Sequence, residues 1–494
     1  MKYKIENINQ KIVFYLLLAC FLVIFLFFPN RNPLSDSLNY AGNVRWNGLL
    51  FFPHHLLYCW FNSLINNLLQ QIHINVDTLS MMEFTNGIFA VFCLLIFQKI
   101  LLLQKNDDKR ANIWIFFAAC SFGFMRFAVE AEAYIIPIFF SLVATYFFIK
   151  YLKNNKLQNI VFSSLIISLA VLFHQIALIF GIGMFVGFIF TKKLKHILLF
   201  ALPTLIVLII YSLIMVYVND TPFSIKNLVF FVADFYTSPD ANINFGLQNF
   251  VLLAIGFVRT FFQINGIVPY VFKFIPAFYI VAVSIVICLF SAIYYLKNLK
   301  FKKEEKLRND KFSSTYAVVF VLLLIFALIS EGNSEFLVAL PFIIPFFIEK
   351  FIIFDKKIII YLSISMFLWN FCFGIFPNNH FNIENNQAES TFVRENPNKI
   401  FIFKNKMGID AQFYYNYGYD IPNQIIDLQK DNTILDSLRN SQETIYTDIL
   451  TKKIPYNRAS YFENNNINKL LFINKIHTFS SDMGSFSVDE VKIR

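Results

Sequence analysis

The sequence predicts an α-helical polytopic membrane protein of about eleven transmembrane helices, with a long first external loop and a small C-terminal α/β soluble domain. Three observations carry this. Apolar residues make up 57% of the 494 residues, and Asp, Glu, Lys and Arg only 15%, where a soluble chain would be about a quarter charged. Mean hydropathy is +0.56. The apolar residues arrive in runs of roughly 17–25, the length that crosses a bilayer, with short basic segments between them. A soluble enzyme, a collagenous chain, a disulfide scaffold and a disordered chain are excluded. The 64 Phe, with abundant Asn, Ile and Lys, read as AT-rich coding spread over lipid-facing helices, and point to a bacterial inner membrane.

The first run, Ile12 to Phe28, follows Lys2, Lys4 and Lys11 and ends at Pro29-Asn30-Arg31 with no small-residue cleavage site. It reads as a retained helix with a cytoplasmic N-terminus. Further runs cover 82–103, 112–128, 133–150, 158–173, 176–191, 197–217, 275–296, 315–331, 336–353 and 357–376. Threaded alternately, they collect on one side the N-terminal lysines, Lys105/Lys109/Arg110, Lys150/Lys153/Lys156, Lys192/Lys193/Lys195, the stretch Lys297–Lys311 and Lys350/Lys356/Lys357. That is 22 of the 29 cations in residues 1–376, with six on the other side, the asymmetry of the positive-inside rule. The net charge of +10 is therefore a topology signal, and no nucleic-acid partner is expected.

Residues 219–274 must begin and end outside. Their one strong run, Phe250–Phe262, is short and contains Arg259, so it reads as an interfacial or re-entrant helix in a long external loop. An odd number of crossings leaves the C-terminus extracytoplasmic. Residues 1–376 thus form the membrane domain. Residues 377–494, with 13 basic and 14 acidic side chains, form a soluble domain large enough for its own core. Its alternating segments Lys469–Ile476 and Ser485–Ile493 read as strands. Cys20, Cys59, Cys93, Cys120, Cys288 and Cys372 lie in or beside apolar spans with no CxxC pair, which indicates neither a disulfide framework nor a zinc site.

The predicted outer side carries Asp36, Asp77, Glu83, Glu130, Glu132, Asp220, Asp234, Asp240, Glu331 and Glu335, with His54, His55, His73 and His174. Ionisable groups at span ends face polar cavities or mark function. Asp36, eight residues past the first span, is placed to act as a general base at the interface or as a helix N-cap. His54-His55 opens an amphipathic segment and suits contact with a phosphate or an acceptor. Glu130 and Glu132, at the tip of a tight hairpin beside Arg126, could hold a divalent cation or a sugar hydroxyl, or be solvated tip charges. His174 lies at a helix end, and Glu335 starts a helix, where the macrodipole alone favours a carboxylate. There is no Walker A loop, GxGxxG, HExxH, kinase or hydrolase signature. Transport is the non-enzymatic alternative, but the midplane polar groups and related halves of transporters are missing.

Together these residues resemble the GT-C-type integral membrane glycosyltransferases, the superfamily of protein O-mannosyltransferases and lipid A aminoarabinose transferases. The resemblance is carried by Asp36, Phe52-Pro53-His54-His55-Leu-Leu-Tyr58, Glu132-Ala-Tyr134, Leu172-Phe-His174 and Asn333-Ser-Glu335-Phe336 with Pro341. It implies an inverting transfer of a sugar from a polyprenyl-phosphate donor to an acceptor hydroxyl of a glycan, lipid or protein. It further implies Asp36 as catalytic base and Glu130 and Glu132 as supporting acids or metal ligands. His54, His55, His174 and Glu335 would line the substrate cavity, and Arg126, Arg259 and Lys273 would offer positive charge to the phosphate. Arg31…Asp36…Tyr40 and Leu172-Phe-His174-Gln-Ile-Ala-Leu also resemble polysaccharide polymerases of the Wzy or EpsG type.

Overall fold

The computed structural model describes residues 2–104, 107–233, 246–264, 266–301, 310–383, 385–422, 425–426, 438–439, 444–452, 470–482 and 484–493. The order begins with α1 (Lys2–Phe27), α2 (Ser35–Trp46), α3 (Tyr58–Gln71), α4 (Thr78–Leu103), α5 (Asp108–Cys120), α6 (Phe122–Ala128) and α7 (Ile135–Asn154). It continues through α8 (Leu157–Phe173), α9 (Leu178–Ile189), α10 (Leu194–Thr204), α11 (Ile206–Tyr217), α12 (Ile225–Val232), α13 (Leu247–Phe261) and α14 (Val268–Phe274). The last bundle helices are α15 (Phe278–Leu296), α16 (Lys311–Ile329), α17 (Leu340–Phe351), α18 (Lys356–Asn370) and α19 (Phe376–His380), the final two joined by a π-turn.

Helical structure occupies each of the eleven apolar runs, and the protein is a multi-pass membrane protein. Among the described residues, seven spans are long and apolar enough to cross a bilayer, and the bent pair α5–α6 makes an eighth. Helices α8, α9 and α17 fill predicted runs but are only 17, 12 and 12 residues long. In the run 336–353, a 3-10 turn (Ser334–Leu337) takes the first residues, and a strand (β2, Ile352–Ile353, paired with β1, Lys300–Phe301) takes the last. Helix length alone therefore supports eight crossings where the runs predict about eleven.

The bundle core is aromatic. Phe97 sits edge-on to Phe342 at 5.1 Å and near Phe346 at 5.5 Å, and Phe124 meets Phe342 at 4.9 Å, the geometry the ring quadrupole favours. Helices α5 and α6 meet at 69° around Ser121, in the interior where backbone groups must find partners inside the protein. Asn370 supplies them: its Nδ2 donates to the Cys120 carbonyl at 2.8 Å and to the Phe261 carbonyl at 2.7 Å. Its Oδ1 accepts from the Gln263 amide at 2.8 Å.

The same contacts explain α13, the short Arg259-bearing run predicted as interfacial or re-entrant. One end meets the far end of α16, where Asn249 Nδ2 donates to the Leu328 carbonyl at 2.9 Å. The other ends at Asn370, inside the bundle. Gly256 makes this descent possible, because a Cβ there would stand 2.2 Å from the Gly332 carbonyl oxygen.

Beyond residue 376 the chain forms α20 (Asn386–Glu395), α21 (Lys406–Tyr417) and a sheet of β3 (Ile400–Ile402), β4 (Ile425–Ile426), β5 (Ile445–Thr447), β6 (Leu470–Ser481) and β7 (Gly484–Ile493). The spatial order is β4-β3-β5-β7-β6, with β3 parallel to β4 and β5, and β7 antiparallel to β5 and β6. Both predicted strands are present; the first runs on to Ser481, and Lys469 lies outside the described residues. Phe392, Phe413, Phe401 and Phe486 pack α20 and α21 onto one sheet face.

Each buried backbone group left without a partner costs about 1–3 kcal/mol. The Asn370→Ala variant is accordingly expected to lose about 3 kcal/mol or more in reversible unfolding from mixed micelles, with Asn249→Ala, at the rim of the same helix, losing less.

Candidate active site

Helix α2 follows Pro33, with Leu34 extended at the N-cap and no side-chain cap. Leu38, Ala41 and Val44 recur at helical spacing and are buried. Asp36 is thereby placed in the first turn, inside the helix, and does not serve as the N-cap. Its side chain is exposed but crowded by protein. That crowding, followed by the Glu335 and Glu130 carboxylates, raises its pKa to about 6.

Glu130 and Glu132 lie in the turn between α6 and α7 and are 0% and 3% exposed, so they are not solvated tip charges. Asn86 of α4 fixes this turn, its Nδ2 donating to the Glu130 carbonyl at 2.7 Å and the Glu132 carbonyl at 2.8 Å. The Glu130 carboxylate is fully engaged. It accepts from Arg126 Nε at 3.1 Å, Asn30 Nδ2 at 3.1 Å and the Leu34 amide at 3.2 Å, the last anchoring the entry to α2. Glu132 accepts from Ser37 Oγ at 3.2 Å. Burial, then Asp36, Glu335 and Glu130, push its pKa up, toward the neutral acid.

Glu335 arrives from the 3-10 turn before α17. Asn333 caps that turn by accepting from the Glu335 amide at 3.1 Å, and Tyr134 Oη donates to Glu335 Oε2 at 3.1 Å. Asp36, Glu130, Glu132 and Glu335 thus interact with one another, and the cation among them is Arg126. Four carboxylates against one guanidinium cannot all stay ionised at low cost. Of the four, Asp36 alone is exposed.

A histidine trio borders this cluster. The rings of His54 and His55, in the 3-10 turn Pro53–His55, lie 4.0 Å apart, and each is within 6.5 Å of His174. Tyr40, one turn from Asp36 on α2, touches His55 at 4.7 Å, while Tyr134 touches His174 at 5.0 Å. His174 Nδ1 accepts from the Ile176 amide at 3.1 Å, so Nε2 carries the proton in the neutral ring. Burial, then His54, lowers the His174 pKa to about 3; burial, then His54 and His174, lowers that of His55. Neither ring nitrogen of the buried His55 has a hydrogen-bond partner among the described residues.

Beside the trio opens an apolar cavity of about 700 Å³ between α8, α9, α10 and α11, lined by Ile167, Val171, Phe185 and Phe326 among others. Leu178, Ile182, Leu205 and Leu208 line it and are also exposed on the bundle's flank, so it faces lipid. Gln175 and the buried Tyr211 are among its polar lining residues. Gln175 Nε2 donates to the Pro53 carbonyl at 3.1 Å, and Tyr211 Oη donates to the same oxygen. The cavity wall is therefore tied to the turn that carries His54 and His55.

The structure brings together Asp36, Glu130, Glu132, Glu335, Arg126, His54, His55 and His174. Arg259 is carried on α13, one turn past Gly256, and Lys273 on α14, its ammonium 5.9 Å from the Phe274 ring centroid. Asp77 caps α4; Asp234 and Asp240 lie outside the described residues. Among the described residues no three His, Cys, Asp or Glu side chains form a metal-ligand set. For a hydrated divalent cation, which needs one or two carboxylates, the carboxylates outside the Arg126–Glu130 ion pair are Asp36, Glu132 and Glu335. Asn30, Ser37 and Asn86 were not singled out from the sequence; Asn86 had a signal, as one of two amides within an apolar run.

No family profile and no curated protein sequence matches this chain. Among solved structures it is similar to ArnT from Cupriavidus metallidurans in the apo state, at 11% identity and a TM-score of 0.46, over 98% of each chain. The same protein bound to undecaprenyl phosphate gives 10% and 0.44, over 97% of this chain and 98% of that one. The Archaeoglobus fulgidus oligosaccharyltransferase in complex with Zn and sulfate gives 11% and 0.46, over 95% of this chain and 72% of that one.

Removing one partner of a buried ion pair costs about 3–5 kcal/mol. Arg126→Leu is expected to lose that much stability in equilibrium unfolding, and the double variant R126L/E130L to recover part of it.

Proposed function

We propose that this protein is a membrane glycosyltransferase that moves a sugar from a polyprenyl-phosphate donor to an acceptor hydroxyl on the side opposite the basic loops, with Asp36 as base. The observation that carries the reading is a juxtaposition. Asp36, the one exposed carboxylate of the acidic cluster, stands a helical turn from Tyr40, whose ring meets His55 of the histidine trio, and Gln175, next to His174 in sequence, lines a lipid-facing apolar cavity.

Each part suits one part of such a donor. The cavity takes the first isoprenoid units, whose burial is favourable at about 25 cal/mol per Å². The neutral histidines present N–H donors to the phosphate, and the one N–H of neutral His55 is not spent on a protein group. Preorganised donors at a site where charge develops are the usual means of stabilising a leaving group. The sugar then lies over Asp36.

In the reaction the acceptor oxygen attacks the anomeric carbon from the face opposite the phosphate, and its proton passes to Asp36. The carbon–phosphate-oxygen bond breaks, and its electron pair leaves with the polyprenyl phosphate. Inversion follows from that geometry. Glu130 serves by position: it holds Arg126, Asn30 and the Leu34 amide, and so fixes the start of α2. The packing of α21 on α2 supports a soluble domain that lies on the same side as Asp36.

A base is active only when ionised. With the Asp36 pKa raised to about 6, transfer is expected to rise through pH 6 and be lost below it; the sugar–phosphate diester has no ionisation there to mimic this. General-base catalysis contributes about 10²–10⁴-fold. Asp36→Asn should lose that much kcat in a lipid-linked sugar assay without losing folded protein, and an active Asp36→Asn rejects the assignment. Filling the cavity with Gly181→Phe should raise the donor KM while leaving kcat at saturation within about threefold, provided chemistry remains rate-limiting.

A further inference from the structure

Helix α2 is bound at both ends by residues beyond 376. At its entry, Asn32 is threaded into α19 and the segment that follows it. Its Nδ2 donates to the Asn378 and Phe381 carbonyls at 2.9 and 2.7 Å, and its Oδ1 accepts from the Ile383 amide at 2.8 Å. At its exit, α21 packs across it. Trp46 Nε1 donates to the Tyr415 carbonyl at 3.0 Å, and Tyr414 Oη donates to Asn43 Oδ1 at 3.1 Å. The Arg45 guanidinium sits 5.3 Å from the Trp46 ring centroid and 5.0 Å from that of Tyr415. The Tyr415 hydroxyl in turn donates to Asp77, the N-cap of α4, so α21 bridges α2 to the bundle.

The interface has no slack. A Cβ on Gly42 would stand 2.8 Å from the Tyr414 ring, and one on Gly418, whose φ is +78°, would stand 2.8 Å from Trp46. A 12-residue helix is about 18 Å long, so a tilt of about 5° about its exit would move its first turn by roughly 1.5 Å. A misplacement of that size costs about 100-fold in a reaction that depends on orientation.

We propose that Tyr414, Tyr415 and Asn32 are positioning residues. Through them the C-terminal segment sets the tilt of α2, and with it the placement of Asp36 against Glu335 and the reacting centre. This rests on Asp36 as the base.

The test uses the full chain in nanodiscs with Tyr415→Phe, which keeps the ring and removes the link to Asp77, and with Gly42→Val, which wedges α21 away by an independent route. Each variant is expected to lower kcat about tenfold with the donor KM within about twofold, and to move the acidic limb of the pH profile downward as Asp36 parts from Glu335 and Glu130. Each should also speed amide hydrogen exchange in residues 35–46 about tenfold. If both folded variants keep the wild-type kcat and the wild-type exchange in α2, the proposal is overturned. It is also overturned if kcat falls while the acidic limb and α2 exchange stay put, since that is generic damage. Hydrogen exchange needs no catalysis: should Asp36→Asn remain active, the base assignment fails, and α2 exchange still decides whether the clamp exists.

Discussion

A single guanidinium, that of Arg126, stands among four carboxylates in a recess where charge is expensive, and the arrangement of this end of the bundle depends on which of them it neutralises. It pairs with Glu130, four residues ahead and wholly buried. Glu130 then accepts from Asn30 and the Leu34 amide, and through those two bonds the ion pair reaches the loop that launches α2. The remaining acids share the cost differently. Glu132 is held toward its neutral form by burial and by its neighbours, whereas Asp36 stays accessible. One ion pair thus separates a buried, fully bonded carboxylate from an exposed one, as environment separates paired carboxylates elsewhere.

The lipid-facing cavity and the histidine trio extend this division of labour. Apolar walls can hold an isoprenoid chain but cannot orient a phosphate. Neutral imidazoles can hold a phosphate without bringing positive charge that would have to be desolvated. The Pro53 carbonyl, bonded by both Gln175 and Tyr211, joins the two regions. Helix α3 follows directly and exposes Trp60, Leu64 and Leu68, the apolar face of a helix that lies in a membrane interface.

Polar satisfaction at depth explains the rest of the frame. The break between α5 and α6 and the end of α13 would each leave backbone groups stranded in the bundle, and the Asn370 amide serves both. The C-terminal segment extends the same principle outside the bundle: Asn32 ties two loops together through their backbones, where apolar contacts would have left those groups to water.

Much of this was legible in the chain. The apolar runs gave the longer helices of the bundle their places but not α12 and α14, which lie in the stretch read as an external loop; Arg259 within a short run marked α13 as something other than a simple span, and the alternation near the C-terminus marked β6 and β7. Asp36, Glu130, Glu132, His54, His55, His174 and Glu335 stood out because charge near a span end is costly. Asn30, Asn86 and Asn370 did not, because asparagine is common here and its importance lies in which backbone groups it meets. Helix length among the described residues supports up to eight of the eleven expected crossings, and in the run 336–353 a 3-10 turn and a two-residue strand take apolar residues that composition assigns to a helix.

What the sequence determined by itself was the class of protein, the order of its helices and the side on which its acids gather, because hydrophobic length and charge asymmetry are local quantities summed along the chain. Only the tertiary structure decided which carboxylate is locked and which is open, where the lipid-facing cavity lies, and that residues beyond 376 hold the helix bearing Asp36. Those outcomes depend on groups separated by about a hundred to several hundred residues competing for the same few donors, and such competition exists only once the helices have packed.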